Sequence, residues 1–490
     1  MSLVVGIDSS TQSCTVEIRD QISGELIGRG QAPHPATHPP ISEQNPIAWW
    51  DALVLAFDEA CKQKTVNKNL ITALAVDSQC HGLVTLDINC NPVRPAKLWN
   101  DTSSAKQSEE LVANKSSAFW IDSVGSNLGP SFTITKIAWL KENEPENFEK
   151  TKKFLLPHDY LTFRLTGNFV TDRAGASCTG YYSPQKSKWN FDLLSLVDKD
   201  RNWTNQLPVV KNPNEIGGVI TSEAAKVLGL SDSVIVGPGT GDQFASSLGL
   251  GISEGDVVFG LGTSGVIFTV TNTHITDKLG WFNGMADASG RFMPIAVTLN
   301  ATKITDWAAR ILNCDLHELD KLALDSEVKS NNMTLVSYFD GERTPNYPYA
   351  RGVLAGIDND QSRENFARMS YEGVLLGLIK AFKHLTNLGI TTNKRIIVTG
   401  GGARGSAYPQ ILSDLLGREV ITLDVEESSA RGACVLAAAI ATKTPVADVA
   451  YKWSPKEKSI FKPKQKVDLA LLLQKYEKLS NFREMDRVSN

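Results

Sequence analysis

The sequence predicts two related α/β domains that face one another, on three observations: its length, its alternation of strands and helices, and a small-residue hairpin that opens each half. The chain has 490 residues, whereas one domain usually holds roughly 100–200. With 42% hydrophobic and 21% charged residues and no low-complexity tract, the composition is globular, which sets aside disorder and fibrous structure.

The hairpins come first. Leu3–Asp8 (LVVGID) reads as an apolar strand, Ser9–Ser13 as a polar turn and Cys14–Ile18 as a second strand; Asp256–Leu261 (DVVFGL), GTSG and Val266–Val270 repeat the plan half a chain later. Between them, strands Ile71–Val76, Val84–Leu86 and Val234–Val236 and a helix over Pro46–Ala60 give the first half its mixed α/β character. In the second half a long helix over Glu364–Leu388 precedes strand Arg395–Thr399 and helix Tyr408–Leu416. The Lys-rich tail from Lys456 ends in an amphipathic stretch, Val467–Leu479, read as a solvated surface helix rather than a binding arm. The division is placed near Ala245, giving domains of residues 1–245 and 246–490.

A net charge of −4 supplies no broad basic field, which argues against nucleic-acid or anionic-membrane partners. The start, MSLVVGIDSS, lacks the pattern of a signal peptide and no run approaches the roughly 20 apolar residues of a membrane span; a cytoplasmic protein is expected. The seven cysteines are odd in number and scattered, so reduced thiols are expected. The histidines show no metal-ligand spacing, which leaves no transition-metal site to propose.

No P-loop sequence occurs, so phosphate must be held another way. The Gly-x-Gly-x-x-Gly spacing occurs twice. At Gly260/Gly262/Gly265 it runs into a strand, so the helix N-terminus that a dinucleotide turn needs is missing. There, Gly262, Thr263 and Ser264 instead offer close backbone N–H groups and hydroxyls to phosphate. The matching turn, Ser9, Ser10 and Thr11, is a first phosphate loop, with Asp8 at its mouth to hold Mg²⁺ through water. Either turn alone reads as an ordinary hairpin with an Asx-type contact; the pair, one per half, favours function. At Gly400/Gly402/Gly405 the order is strand, glycine turn, helix, with Asp424 about 20 residues on. An NAD site is the competing reading, set back because no returning strand is evident beyond it; the bare backbone suits adenosine equally.

Asp242, in GPGTGDQFASSLG, follows strand Val234–Val236 where a helix begins. It reads either as a helix N-cap or as a general base at the carboxyl end of a strand. The loops Asp77–Gly82 (DSQCHG) and Leu98–Asp101 (LWND) suit a sugar: His81, Asn100 and Asp101 give directional hydrogen bonds and Trp99 an apolar face. Each alone is more often a plain loop residue. Gly341–Pro345 (GERTP) reads as a turn with a local Glu342/Arg343 pair or as a functional loop.

Taken together, these segments resemble the FGGY carbohydrate kinases along essentially the whole chain. Ser131–Asn143 (SFTITKIAWLKEN) resembles the family's first signature, with Lys136 and Trp139 in place; Gly352–Glu372 (GVLAGIDNDQSRENFARMSYE) resembles the second, with Met369 where a small residue is usual. SEQNPIAWW, His81-Gly82, LWND, LGTSG, GERTP and GGGAR resemble the family's xylulose-phosphorylating members. The resemblance implies two ribonuclease-H-like domains of the actin, Hsp70 and hexokinase type with the active site in the cleft between them. It further implies Asp242 as catalytic base, His81, Asn100 and Asp101 around the sugar, Asp8 at the metal, and Gly401, Gly402 and Ala403 at the adenosine. Cys80, Trp99 and Gln243 complete the candidate sugar set, and Ser10 and Thr11 with Gly262, Thr263 and Ser264 the phosphate set.

Two departures stand out: the first turn reads Asp-Ser-Ser-Thr where many members have a glycine, and Cys80 stands where some carry methionine. The activity implied is ATP- and Mg²⁺-dependent phosphorylation of the terminal hydroxyl of D-xylulose, by a protein for which a homodimer is compatible. The alternatives are a family kinase for ribulose, gluconate or glycerol, an Hsp70-like ATP-driven binding protein on the same fold, and, more distantly, an NAD-dependent dehydrogenase.

Overall fold

The computed structural model describes residues 2–63, 66–327 and 332–482. Two seven-stranded sheets dominate it. In the first, Leu3–Ser9 pairs antiparallel with Ser13–Asp20, which pairs antiparallel with Leu26–Pro33. On its other side Leu3–Ser9 runs parallel to Ile71–Ser78, which is parallel to Ile235–Val236, and antiparallel Gly218–Val219 closes the edge.

The second sheet repeats this order. Val257–Leu261 is antiparallel to Gly265–Phe268, itself antiparallel to Phe292–Thr298, and parallel to Ile396–Thr399. Val420–Leu423 follows in parallel and Glu457–Phe461 in antiparallel sense. Both expected hairpins are therefore present, and they occupy the same place in the two sheets.

One expectation is corrected. Ile396–Thr399, helix Ala407–Leu416 and Val420–Leu423 form a βαβ unit with parallel strands, so a return does follow the GGGAR turn. The returning strand has only four residues, too short to stand out in the sequence pattern.

Central strands are buried on both faces, as LVVGIDS shows by being buried throughout, and so read as continuous apolar runs. The amphipathic segments form helices Pro46–Cys61, Arg363–Asn387 and Leu469–Ser480. The last of these is anchored by buried Leu473 and Tyr476.

The halves meet through two crossing helices. Asp242–Gly249 leaves the first sheet, while Ser428–Thr442, from the second half, packs on Leu3–Ser9 and Ile71–Ser78 of the first. Small residues let the backbones approach: a Cβ on Gly432 would lie 1.8 Å from the Ala245 carbonyl oxygen, and one on Gly249 1.9 Å from that of Ser428. Ala245 lies within the first of these helices. One apolar cluster runs across the crossing and includes Val4, Ala73, Phe244, Leu248, Val258, Ile397 and Val435. Among the described residues no helix is long and apolar enough to cross a membrane, and all seven cysteines are free thiols.

Candidate active site

Three carboxylates gather where strands of the first sheet end. Asp8 and Asp77 are register partners on parallel neighbours, and Thr240–Gly241 pairs with Asp77 and Ser78 on the other flank, delivering Asp242 to the same edge. The carboxyl ends of parallel strands are where open α/β sheets place their chemistry. Asp77 was not singled out from sequence, although LVVGIDS and ITALAVDS both end in Asp-Ser, and that matched ending was the available signal.

Burial makes this cluster costly when ionised. It drives the Asp8 carboxyl up to about 7, helped by the nearby charges of Asp242 and Glu427 and opposed by a 2.7 Å hydrogen bond from Ser10 Oγ. Asp77 is fully buried, its side chain lies against that of Asp8, and burial with the Asp8 charge and hydrogen bond raises it well above the usual carboxylate range. Burial thus favours the protonated acids, one sharing its proton with the other, and a cation bound here would take the place of that proton.

Asp242 is the first residue of its helix; Gly241 occupies the N-cap position. The capping alternative therefore does not describe this side chain. Its Oδ1 accepts from Gln243 N at 2.7 Å and Cys80 Sγ at 3.3 Å. Burial raises it above the ordinary carboxylate value, and these donors together with the charge of His158 oppose the rise. The Cys80 backbone N–H also hydrogen-bonds this carboxylate.

Next to Cys80, His81 adopts a left-handed φ of 64°, which turns the chain sharply and is uncommon for a side chain of this size. Its Nδ1 lies 2.7 Å from the Cys178 carbonyl oxygen. A carbonyl only accepts, so Nδ1 carries the proton. Burial, then Lys136 and Arg343, press its pKa down to about 3; the ring stays neutral and Nε2 is an acceptor.

The LWND loop divides. Asp101 is fully buried and accepts from Ser42 N and Ser103 N and Oγ, with Lys97 Nζ at 3.4 Å, so its carboxylate braces the loop. Asn100 Oδ1 is buried without a partner, and Trp99 is 43% exposed, its Nε1 donating to Thr11 Oγ1 at 2.9 Å. That bond ties the LWND loop to the Ser9–Thr11 turn. Lys136 is fully buried, donates to the Pro130 and Ser131 carbonyls, and is pushed down to about 7 by burial.

Across the crossing, Gly262 and Thr263 accept with their carbonyls from Thr302 N and Ala301 N, fixing the second turn to the start of helix Thr302–Leu312. Gly401–Ala403 form one 3₁₀ turn after Gly400, whose φ is 85°. A Cβ on Gly401 would meet only the Leu261 carbonyl oxygen, at 3.9 Å, so that backbone face is open; at Gly402 a Cβ would lie 2.7 Å from Leu261 Cβ. Glu427 is within electrostatic reach of both Asp8 and Arg404, which places the GGGAR turn on the carboxylate side of the molecule.

The duplicated fold places carboxylates at the end of one sheet and bare glycine backbone at the end of the other. Residues 3–249 match the model of the FGGY family of carbohydrate kinases, N-terminal domain, and residues 257–441 that of its C-terminal domain. The chain belongs to the FGGY family of carbohydrate kinases.

A xylulose kinase of Streptomyces rubiginosus is 39% identical over 92% of this chain and 90% of its own length. The crystal structure of xylulose kinase from Bifidobacterium adolescentis superposes with a TM-score of 0.86 at 33% identity, covering 97% of this chain and 99% of that one. A gluconate kinase from Lactobacillus acidophilus reaches 0.87 at 22% identity, covering 98% and 96%; it shares the fold, and fold alone does not choose the sugar.

Proposed function

We propose that this chain transfers the γ-phosphoryl group of ATP to the terminal hydroxyl of D-xylulose, giving D-xylulose 5-phosphate and ADP, with Asp242 as general base. Residues 1–245 supply the sugar side and residues 246–490 the nucleotide side. The observation that carries the reading is the Asp242 carboxylate: it stands at the strand ends beside Cys80 and His81, while Gly241 holds the cap position of its helix. The similarity to xylulose kinases supports the choice of sugar.

In the reaction, Asp242 takes the proton of the attacking hydroxyl as the new O–P bond forms and the bond from the γ-phosphorus to the bridging oxygen breaks, with ADP leaving. His81 Nε2 and Asn100 orient the sugar, and Trp99 covers an apolar face of it. The turns at Ser10-Thr11 and Gly262–Ser264 hold phosphate oxygens, and Gly401, Gly402 and Ala403 lie against the adenosine. Mg²⁺ fits Asp8 and Asp77, whose buried carboxylates lack countercharge. When bound it neutralises charge on the transferring phosphoryl group. Among the described residues no group of three or more His, Cys, Asp or Glu could hold a metal ion by itself.

A coupled ADP-release assay over D-xylulose, D-ribulose, gluconate and glycerol tests the substrate. D-xylulose should give the highest kcat/KM; turnover with D-xylulose no faster than with water, beside a rapid alternative, would assign another sugar.

A further inference from the structure

The GERTP loop is not used by the reaction as described, yet it is firmly built. Glu342 is 3% exposed, and its Oε1 accepts from Leu299 N and Arg343 N, both at 2.7 Å. Asn300 Nδ2 donates to Glu342 Oε2 and to the Gly341 carbonyl. Glu342 and Tyr347 exchange both backbone hydrogen bonds, and Gly341 N donates to the Ala350 carbonyl. The expected Glu342/Arg343 ion pair is therefore replaced: Glu342 is committed to backbone and amide donors.

That leaves the half-buried Arg343 guanidinium with no hydrogen bond or ion pair among the described residues. Its charge is felt by the His81 ring and by Cys178, the residue whose carbonyl holds His81. The halves touch at this place: Gly284 N donates to the Gly125 carbonyl at 2.7 Å, and Cys178 Sγ lies 3.7 Å from Met285 Sδ. An unpaired guanidinium withdrawn from water needs oxygen acceptors. The site thus carries both signs of charge: Asp8, Asp77 and Asp242 gather at the strand ends, while Arg343 and Lys136 act on neutral His81.

We infer that Arg343 is a sugar-contacting, specificity-determining residue contributed by the second half, its guanidinium donating to sugar oxygens on the His81 side of the site. This rests on the kinase reading above. It makes the sugar a bridge between the halves, and it fits a ligand with a carbonyl or adjacent hydroxyls on that side. A ligand that is apolar there leaves the guanidinium unmatched.

The test compares Arg343→Gln and Arg343→Lys with the parent, measuring sugar KM, nucleotide Kd, sugar-independent ATP hydrolysis and melting temperature. The sugar is whichever the parent phosphorylates fastest in the substrate panel, so a wrong sugar assignment appears in the parent and an error about Arg343 only in the variants. For Arg343→Gln, kcat/KM for the sugar should fall about ten- to hundredfold through KM, the value of a hydrogen bond to a charged group. Nucleotide Kd and sugar-independent hydrolysis should stay within about twofold on the same basis, and Arg343→Lys should recover part of the loss. A sugar KM unchanged in Arg343→Gln, or an equal fall in sugar-independent hydrolysis, overturns the assignment.

Discussion

The two sheets share one strand order yet end in opposite chemistry. In the first, the central parallel strands finish in Asp8 and Asp77, both held above the ordinary carboxylate range by burial. In the second, the matching strands finish in Leu261-Gly262 and Thr399-Gly400, with bare backbone beyond. The one acid of that central pair, Asp256, lies at the opposite end and is held below the usual value despite burial, through hydrogen bonds from Arg395, Ser253 and the charge of Arg395. Topology decides where a site can be; the residues that end each strand decide whether it presents carboxylates or bare backbone.

The comparison breaks most severely at the pivot between the halves. Gly432→Val would drive side-chain atoms into the Ala245 backbone, 1.8 Å from the position of a Cβ. The helices would have to separate, and we expect about 3 kcal/mol or more of lost stability, read as a fall in denaturation midpoint. An unchanged midpoint would show that the crossing yields freely.

A smaller effect separates the two kinds of acid. Asp8 has a folded value of about 7 against an ordinary 3.8, so between these values the folded state binds the extra proton and its contribution to stability falls as pH rises. Asp256, depressed, does the reverse: its contribution is present above its unfolded value and is lost as pH falls. Without Mg²⁺, Asp8→Asn should therefore flatten the fall in stability from about pH 4 to 7, and should weaken Mg²⁺ binding about 10- to 100-fold, as loss of a group acting through metal-bound water does. A parent whose stability does not decline over that window contradicts the acidic half of the comparison.

The smallest expected effect concerns the nucleotide side. Gly401→Ala has room, the nearest atom being 3.9 Å from the new Cβ, so melting should be unchanged while ATP affinity drops a few-fold, about 1 kcal/mol, from the methyl group on the ligand face. Equal affinity would place the adenosine elsewhere.

Much of the fold was legible because burial writes a simple pattern: LVVGID and DVVFGL are continuous apolar runs, and Gly, Ser and Thr mark their turns. Contacts between distant segments were not. The pairing of Asp8 with Asp77 depends on strand register, the fixing of Glu342 on Leu299 and Asn300, and the bracing role of Asp101 on Ser42, 59 residues away. The Gly241 cap was hidden for a different reason: Asp and Gly are both good N-caps, so only the backbone could show which of the two begins the helix.

The central claim is that Asp242 removes the proton from the sugar hydroxyl, and Asp242→Asn tests it most directly. Asn is nearly isosteric, can still accept from Gln243 N, and disturbs no cap, since Gly241 holds that position. Turnover, nucleotide affinity and melting temperature should be measured on one preparation. The account predicts parent-like melting and ATP binding with turnover reduced at least about a hundredfold. A variant that melts like the parent and retains more than about a tenth of its turnover, a loss under roughly 1.4 kcal/mol, would contradict it.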